Sequence, residues 1–305
     1  MVETRLLTAK ERLPGLRHQQ GGLQLARRLP ALLVAAKEVA ATVMHGVHGR
    51  RRAGTGETFW QFRPFVYGES TTAIDWRRSA RDDRVYVRER EWEAAHTVWV
   101  WMDRSTSMAF ESELALQSKV DRALVLGLAV SDLLVRGGER VGMPGLTRAL
   151  ATRNIAERFA QVLAEDEKRG EPRELPPADP LGARTQAVLI GDFLSDVEDI
   201  RATIHGMAAQ GALGHVVMIA DPVEETFPFS GHTEFLDVDS DARLRVGDAL
   251  TFKADYIARL AQHRDAVREI CASRGWSFAI HRTDRPVAEA LLNLRMRLEA
   301  GQGVA

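Results

Sequence analysis

The fold is decided by the stretch Thr97-Val98-Trp99-Val100-Trp101-Met102-Asp103-Arg104-Ser105-Thr106-Ser107. Its β-branched and aromatic first half predicts a buried strand. Asp103, Ser105 and Ser107 follow, which puts one carboxylate and two hydroxyls at alternate positions. Ligands of open α/β sheets collect at the carboxyl ends of parallel strands, and Mg²⁺ prefers hard oxygen ligands while it keeps several waters. The stretch therefore predicts a metal-binding strand end. The alternative is an ordinary strand followed by a Ser/Thr helix cap, with no metal site.

Downstream of this stretch, apolar runs alternate with amphipathic segments. The apolar runs predict strands at 97–102, 139–143, 186–190, 214–220 and 277–282. Apolar residues at helical spacing predict helices at 119–135, 155–163, 196–210, 252–274 and 286–298. Two short alternating runs, 234–238 and 242–246, predict a β-hairpin on one edge of the sheet. Strands that alternate with helices indicate a mostly parallel sheet with right-handed crossovers, so we expect a doubly wound α/β fold.

Composition excludes several classes of function. The chain is 45% apolar and 27% charged, which is typical of a globular domain. Its 41 basic and 42 acidic residues leave a net charge of -1, so no overall field draws it to nucleic acid or to a membrane. The single cysteine, Cys271, excludes an internal disulfide and a cysteine-based metal cluster. The N-terminus has no signal-peptide pattern and no apolar stretch is long enough to span a bilayer, so we expect a cytoplasmic protein.

Three regions differ in their composition. Residues 1–49 are predicted to be an N-terminal arm and one helix; residues 1–28 are polar and typical of a loosely held arm, and Pro30 suits the first turn of the helix. Residues 50–95 form an extension that is rich in arginine and aromatic residues and is predicted to contain β-structure. Residues 96–298 hold the alternating strands and helices and form the α/β domain.

Between Arg50 and Arg90 the chain carries ten arginines, seven aromatic residues and no lysine. Such interleaving is what a platform for single-stranded nucleic acid would use. Six acidic residues in the same segment would pair with the arginines and interrupt a phosphate track, which disfavours nucleic acid. Arginine and aromatic side chains also anchor protein interfaces, so we interpret the segment as a structural brace or a protein-docking face. The candidate docking residues are Arg63, Trp76, Arg77, Arg78 and Arg81.

Two groups of motifs resemble known families. The predicted strand with Asp103-Arg104-Ser105-Thr106-Ser107, followed by a helix and a later strand that ends in Asp192, resembles a von Willebrand factor A domain. The upstream block resembles the bacterial domain-of-unknown-function family fifty-eight, and the matching motifs are Gly56-Glu57, Phe59-Trp60-Gln61-Phe62-Arg63-Pro64-Phe65, Tyr67-Gly68-Glu69-Ser70, Ile74-Asp75-Trp76-Arg77-Arg78-Ser79-Ala80-Arg81 and Val87-Arg88-Glu89. Proteins of that family pair this block with a von Willebrand A-like domain, and their genes commonly neighbour a gene for a MoxR-type AAA+ ATPase. The resemblance covers residues 45–295.

The resemblance implies a Rossmann-like sheet of the von Willebrand A type with a metal-ion-dependent adhesion site. Matched position by position, the candidate ligands of Mg²⁺ or Mn²⁺ are Asp103, Ser105, Ser107 and Asp192. The family site also takes a threonine from a second loop. Thr147 and Thr152 lie in the corresponding region, but neither stands in a matching loop pattern.

Two classes of function fit these residues. The first is a non-enzymatic protein-interaction or assembly factor, in which an acidic side chain of the partner completes the coordination of the metal. The resemblance implies that the partner is a MoxR-type AAA+ ATPase or its client proteins, with this chain as adaptor or co-chaperone.

The second class is a Mg²⁺-dependent phosphohydrolase with Asp103 as the nucleophile. A haloacid-dehalogenase arrangement needs an acid two positions later, where this chain has Ser105. No P-loop, Gly-x-Ser-x-Gly or His-Glu-x-x-His motif is present in the sequence. We therefore predict that the chain is not an enzyme.

Overall fold

The structure is a computed structural model that describes residues 14–47, 59–90, 96–170, 173–178, 181–182, 185–236 and 243–302. The helices are α1 (Pro14–Val47), α2 (Trp76–Ser79), α3 (Lys119–Arg136), α4 (Ile155–Arg169), α5 (Val197–Ala209), α6 (Pro222–Thr226), α7 (Ala249–Ala272) and α8 (Val287–Gln302). The strands are β1 (Phe59–Pro64), β2 (Tyr86–Arg90), β3 (Thr97–Met102), β4 (Arg140–Gly142), β5 (Thr185–Gly191), β6 (Leu213–Ala220), β7 (Thr233–Leu236), β8 (Arg243–Val246) and β9 (Ser277–Arg282). The chain folds as two compact units, one of residues 48–95 and one of all the others.

A five-stranded parallel sheet forms the centre of the larger unit, in the order β4-β3-β5-β6-β9. All seven residues of the middle strand β5 are buried. Strands that are covered on both faces need apolar side chains at every position, which is why these segments are continuous hydrophobic runs in the sequence. The prediction of a mixed α/β fold around a mostly parallel sheet is confirmed.

Helices cover both faces of this sheet. In β3, Val98, Val100 and Met102 join a hydrophobic cluster with residues of α1, α3, α4 and α8. Trp101, between them, points to the opposite face and joins a second cluster with residues of α5 and α7. The two-residue period of a strand therefore divides each apolar run between two separate cores.

The N-terminal segment differs from the prediction. Residues 14–28 are not a loose arm but lie in α1, and Pro30 is inside this helix rather than at its start. A proline in a helix interior costs about 3 kcal/mol. Here burial offsets that cost, because an apolar stripe of α1 packs into the first core; its buried members are Leu25, Leu29, Leu32, Ala36, Ala40 and Val43. Ion pairs from Arg28 to Asp121 and from Lys37 to Glu157 also hold α1 to α3 and α4.

The β-hairpin was expected on one edge of the sheet, and this is wrong. Strands β7 and β8 pair with each other in a separate two-stranded antiparallel sheet. Arg243 and Arg245 of β8 are exposed, and Arg245 forms an ion pair with Glu234 of β7 at 2.9 Å. Exposed charged side chains on a strand disfavour its pairing with the edge of another sheet. The predicted turn at 239–241 lies outside the described residues.

In the smaller unit, β1 and β2 pair antiparallel, and α2 lies in the connection between them. Asp75 begins α2 by accepting a hydrogen bond from the Arg78 backbone N–H at 2.9 Å. The Arg63 guanidinium makes two hydrogen bonds to the Glu69 carboxylate, at 2.8 and 3.1 Å. Acidic partners of the arginines, predicted from the composition, are therefore present in this unit.

Among the described helices, none combines the length and the apolar character that crossing a membrane would need.

Candidate functional site

Asp103 lies directly after β3, buried among the carboxyl ends of the parallel strands. Its backbone N–H donates to the Ile190 carbonyl of β5 at 2.8 Å, and the residue is 1% exposed. One carboxylate oxygen, Oδ1, accepts a hydrogen bond from the Ser105 backbone N–H at 2.8 Å. The other oxygen, Oδ2, is buried and has no hydrogen-bond partner among the described residues. A buried carboxylate oxygen in this state has capacity left for a proton, a cation or a donor.

The two serines stand next to this carboxylate. The Ser105 and Ser107 hydroxyls lie 3.1 Å apart, and the backbone around them forms a short 3₁₀ turn over Thr106–Ala109. Met108, which is fully buried, anchors that turn in the core. Although Ser105 precedes the turn, its side chain makes no capping hydrogen bond. The first α-helix after β3 is α3, and its N-cap is Ser118. The alternative of an ordinary helix cap therefore does not describe Ser105.

Arg104 fixes the loop from the other side. Its guanidinium is almost buried and pairs with Asp166 and with Glu167, the latter at 3.2 Å. It also donates to the Leu163 carbonyl at 3.4 Å. These contacts tie the loop after β3 to α4.

Gly191 and Asp192 bring the end of β5 to the same place. A Cβ at Gly191 would stand 2.8 Å from the Asp103 Cβ and 3.0 Å from its Oδ2, so only glycine leaves room for the carboxylate. Asp192 follows and is 4% exposed. After it, Phe193 has a positive φ of 49°, a strained conformation for a residue with a Cβ. The Phe193 carbonyl lies 2.6 Å from His263 Nε2, which holds this turn against α7.

Lys119 is the cation of the site. Its Nζ lies 2.9 Å from Asp192 Oδ2 and 2.7 Å from Glu224 Oε1, and the residue is 1% exposed. Burial lowers the pKa of Lys119, but the charges and hydrogen bonds of Asp192 and Glu224 outweigh it and raise the pKa above its ordinary value. The ammonium therefore stays charged and neutralises the carboxylate after β5 and the carboxylate of Glu224 in α6.

Glu224 and Asp221 form a capping box at the start of α6. The Asp221 carboxylate accepts from the Val223 N–H at 2.9 Å and from the Ser112 N–H at 3.0 Å. The Asp221 backbone N–H donates to Glu224 Oε2 at 2.8 Å. Asp221 thus holds the loop of residues 110–118 onto the end of β6, and both of its carboxylate oxygens are used.

The surroundings of Asp103 change the pKa of its carboxyl group. Burial, and then the charge of Asp192, raise the pKa of Asp103 to about 7, against the effect of hydrogen bonds from Ser105. The negative charge of Glu174 raises the pKa of Asp103 further, by a smaller amount. Near neutral pH this carboxyl group is therefore poised between its neutral and charged forms, and a cation close to Oδ2 would favour the charged one.

The donors present fit a hydrated divalent ion held by few protein ligands. The described residues contain no group of three or more histidine, cysteine, aspartate or glutamate side chains that could hold a metal. They do bring together the free Asp103 Oδ2 and the hydroxyls of Ser105 and Ser107, three hard oxygen donors of the kind that Mg²⁺ takes while it keeps its waters. The fourth predicted ligand, Asp192, is engaged by Lys119 through Oδ2.

The two candidate threonines are used elsewhere. The Thr147 hydroxyl accepts a hydrogen bond from the Met143 N–H at 3.0 Å in the turn after β4. The Thr152 hydroxyl bonds to Asn154 just before α4. Both hydroxyls therefore serve local turns.

The loops around the site expose apolar side chains. Phe110, Leu114 and Leu116, in the segment between the 3₁₀ turn and α3, are 37%, 55% and 71% exposed. Leu194, two residues after Asp192, is 48% exposed. We call these four side chains the apolar rim; exposed apolar residues beside a polar centre are typical of interaction sites.

The five docking candidates of the smaller unit fall into two groups. Arg63 is paired with Glu69, and Arg78 stacks on the Tyr86 and Phe62 rings, with its Cζ 4.8 and 5.8 Å from their centroids. These two arginines brace the smaller unit from within. Trp76, which is 66% exposed, and Arg77 and Arg81, which are also exposed, are available at the surface of this unit.

Sequence reasoning missed Lys119 and Glu224. The sequence pattern identifies Lys119 only as the first residue of a predicted helix. A lysine at this position has an unfavourable interaction with the helix dipole. That mismatch signals a specific acidic partner. For Glu224 the signal is Asp221-Pro222-Val223-Glu224, a capping-box pattern at the end of an apolar strand. No pattern in the sequence predicts that the two residues meet.

Comparison with known proteins places the chain in a family. The uncharacterized proteins Rv1480 of Mycobacterium tuberculosis and Mb1516 of Mycobacterium bovis are each 25% identical to it over 276 residues, which is 86% of this chain and 86% of theirs. The crystal structure of the conserved hypothetical protein BatB from Bacteroides thetaiotaomicron matches with a TM-score of 0.34 and 12% identity, over 68% of this chain and 100% of that one. The model of the family described as "Protein of unknown function DUF58" matches residues 61–266, more than half of the chain. The chain therefore belongs to the DUF58 family.

Proposed function

We propose that this chain is a non-enzymatic protein-interaction factor on a von Willebrand A-like scaffold, which binds an acidic partner at the carboxyl edge of its central sheet. The observation that supports this most directly is the Asp103 Oδ2 atom, buried and without a partner beside two serine hydroxyls. In the proposal, Asp103, Ser105 and Ser107 hold Mg²⁺ or Mn²⁺. The ion supplies a positive centre with exchangeable water positions, which a carboxylate of the partner can take.

Asp192 has an indirect part in this proposal. Lys119 holds its Oδ2, so Asp192 contributes negative charge next to Asp103 rather than a free ligand atom. A site with one carboxylate and two hydroxyls holds a divalent ion weakly. The partner's carboxylate is then a needed part of the coordination, which suits a regulated, reversible contact.

The apolar rim supports a protein as the occupant. Leu114 and Leu116 are more than half exposed on the loop that Asp221 fixes beside the site. A polar centre surrounded by exposed apolar side chains offers both the specificity and the buried area that a protein interface needs. For the partner, we propose a MoxR-type AAA+ ATPase or its clients in the cytoplasm, with this chain as adaptor or co-chaperone; this rests on the resemblance of the upstream motifs.

The phosphohydrolase alternative has less support. Two positions after Asp103, where a general acid would stand, Ser105 donates its backbone N–H to the Asp103 carboxylate. Lys119 is buried between Asp192 and Glu224, and both carboxylates engage its ammonium.

The test is calorimetric titration of Mg²⁺ and of Mn²⁺ into the metal-stripped chain and into D103N. Asparagine keeps the size of the side chain but removes the charge that the ion needs. We expect saturable binding to the wild type and a loss of at least tenfold in D103N. Asp199, an exposed residue on the first turn of α5, provides the matched control D199N, which should bind as the wild type does.

A second experiment tests the partner. Association of the chain with a purified MoxR-type ATPase is measured by light scattering or biolayer interferometry, once with Mg²⁺ and once with a chelator. We expect association that chelation or D103N abolishes. Equal metal binding by the wild type and D103N would reject the metal site. Metal binding without any metal-dependent association would reject the role of the ion in recognition.

A further inference from the structure

A groove that Asp103 does not line runs between strands β6 and β9 and helix α8. The groove has a volume of about 260 Å³. Its floor is apolar and is formed by Val217, Ala279, Ala290 and Leu294. Each end is polar, and the same two residue types, a histidine and an arginine, occur at both.

The histidines are buried and incompletely satisfied. His215 and His281 are 7% and 6% exposed, and both line the groove. The Nε2 atom of each ring is buried and has no hydrogen-bond partner among the described residues. His215 bonds through Nδ1 to the Ser277 hydroxyl at 2.8 Å, which fixes that ring. Burial lowers the pKa of both histidines to about 4, so each imidazole is neutral at physiological pH. A buried imidazole nitrogen that lacks a partner is rare in native proteins and points to a ligand or an ordered water.

The sheet register sets the distance between the two histidines. His215 pairs with Ser277 and Ile219 pairs with His281, so the rings are four residues apart along parallel strands on the same face. At 3.3 Å per residue this is roughly 13 Å. A groove of this length and of modest volume is narrow, and it suits an extended chain better than a compact ring system.

The arginines give the groove its charge preference. Arg285 lies just before α8, near the His281 end, and Arg297 lies on the last turns of α8 near His215. Both are exposed at the rim, and neither guanidinium has an ion pair within the part of the chain that the structure describes. Arg282, at the same rim, is already paired with Asp284 and Glu225. Glu289 is the one acidic residue that lines the groove.

We propose that this groove binds an elongated organic dianion, with one acidic group near Arg285 and His281, the other near Arg297 and His215, and an apolar spacer along the floor. Each acidic group receives a charge-assisted hydrogen bond from a guanidinium and supplies the missing partner of an imidazole Nε2. The spacer covers Val217, Ala279 and Leu294. The site is independent of the metal site proposed above.

The experiment uses the full chain and three probes: azelate, a long α,ω-dicarboxylate; succinate, a short one; and octanoate, which has a single carboxylate. Calorimetry should show saturable binding of azelate, with succinate and octanoate weaker by tenfold or more. R285Q and R297Q should each weaken azelate binding by at least tenfold, since each removes one charge-assisted bond. Both residues are exposed, so these variants should fold normally.

R295Q is the matched control, because Arg295 lies on the same helix but pairs with Glu299 and does not line the groove. Proton–nitrogen spectra of the imidazoles give a second readout. Azelate should shift the Nε2 signals of two histidines, assigned by their loss in H215N and H281N. Equal affinity for the three probes, equal affinity in R297Q and R295Q, or unshifted imidazole signals would each overturn the proposal.

Discussion

The buried ammonium of Lys119 gives the most direct test of the site geometry. Lys119 is 1% exposed, while the side chains of its partners Asp192 and Glu224 are 5% and 20% exposed. Removing one member of a buried ion pair costs about 3–5 kcal/mol, because the partner is left charged and poorly solvated. Glu224 keeps some contact with water and its bond to the Asp221 N–H, so the cost arises chiefly at Asp192. We expect K119M to lower the free energy of unfolding by about 3 kcal/mol.

The assay is urea unfolding followed by far-ultraviolet circular dichroism, which reports mostly on the helices of the larger unit. K168M is the control, since Lys168 is exposed near the end of α4, and its change should stay within about 0.5 kcal/mol. The double variant K119M/D192N should recover part of the loss, because it removes the uncompensated charge together with the ammonium. If K119M were as stable as K168M, the interpretation of Lys119 as a buried counter-ion would be refuted.

The same variant tests the relation between the ammonium and the metal. Without Lys119, the Asp192 carboxylate becomes available beside Asp103, and a divalent ion can replace the lost charge. We expect Mg²⁺ to bind K119M more tightly than the wild type, and to stabilise it by about 1.4 kcal/mol at a concentration ten times its dissociation constant. Equal affinity in both proteins would show that the Asp192 carboxylate, even when released from Lys119, does not contribute to binding of the ion.

Three further predictions concern the glycines and the histidines. G191A should destabilise the fold by about 1–3 kcal/mol in thermal or urea unfolding, because the new Cβ would stand 2.8 Å from Asp103 in a fully packed edge; a neutral result would contradict that close approach. G206A should instead stabilise it by about 0.5–1 kcal/mol, since Gly206 lies inside α5 with nothing within 4 Å of the added Cβ, and a loss of stability would show a contact there. Because burial lowers the pKa of His215 and His281 from 6.5 to about 4, their contribution to stability is complete above pH 6.5 and is lost as the pH falls toward 4. Between these pH values the free energy of unfolding of the wild type should fall by roughly 3 kcal/mol per histidine, and the double variant H215Q/H281Q should not show this fall. The same fall in the double variant would assign it to other groups.

The central sheet was predictable because its signal is local. Its three inner strands, β3, β5 and β6, are short runs that are mostly apolar, and burial on both faces accounts for such runs. The helices α3 and α5 could be bounded to within a residue or two, since Ser118 and Asp196 are caps that act on the backbone next to them. The errors came where a distant surface decided the outcome. Residues 14–28 look polar by themselves, and their helix is explained by the core that the far end of α1 enters.

The candidate site shows the same division. The sequence by itself determined that Asp103, Ser105 and Ser107 end one strand and that Asp192 ends another, because a strand and the residues after it are fixed by local pattern. Only the tertiary structure decided which of these atoms remains free. It brought Lys119 from α3 and Glu224 from α6 to Asp192, and it left Asp103 Oδ2 without a partner. The sequence separations of 73 and 105 residues explain why: the energy of a buried charge depends on which groups surround it in space, and strand order, not spacing along the chain, sets those neighbours.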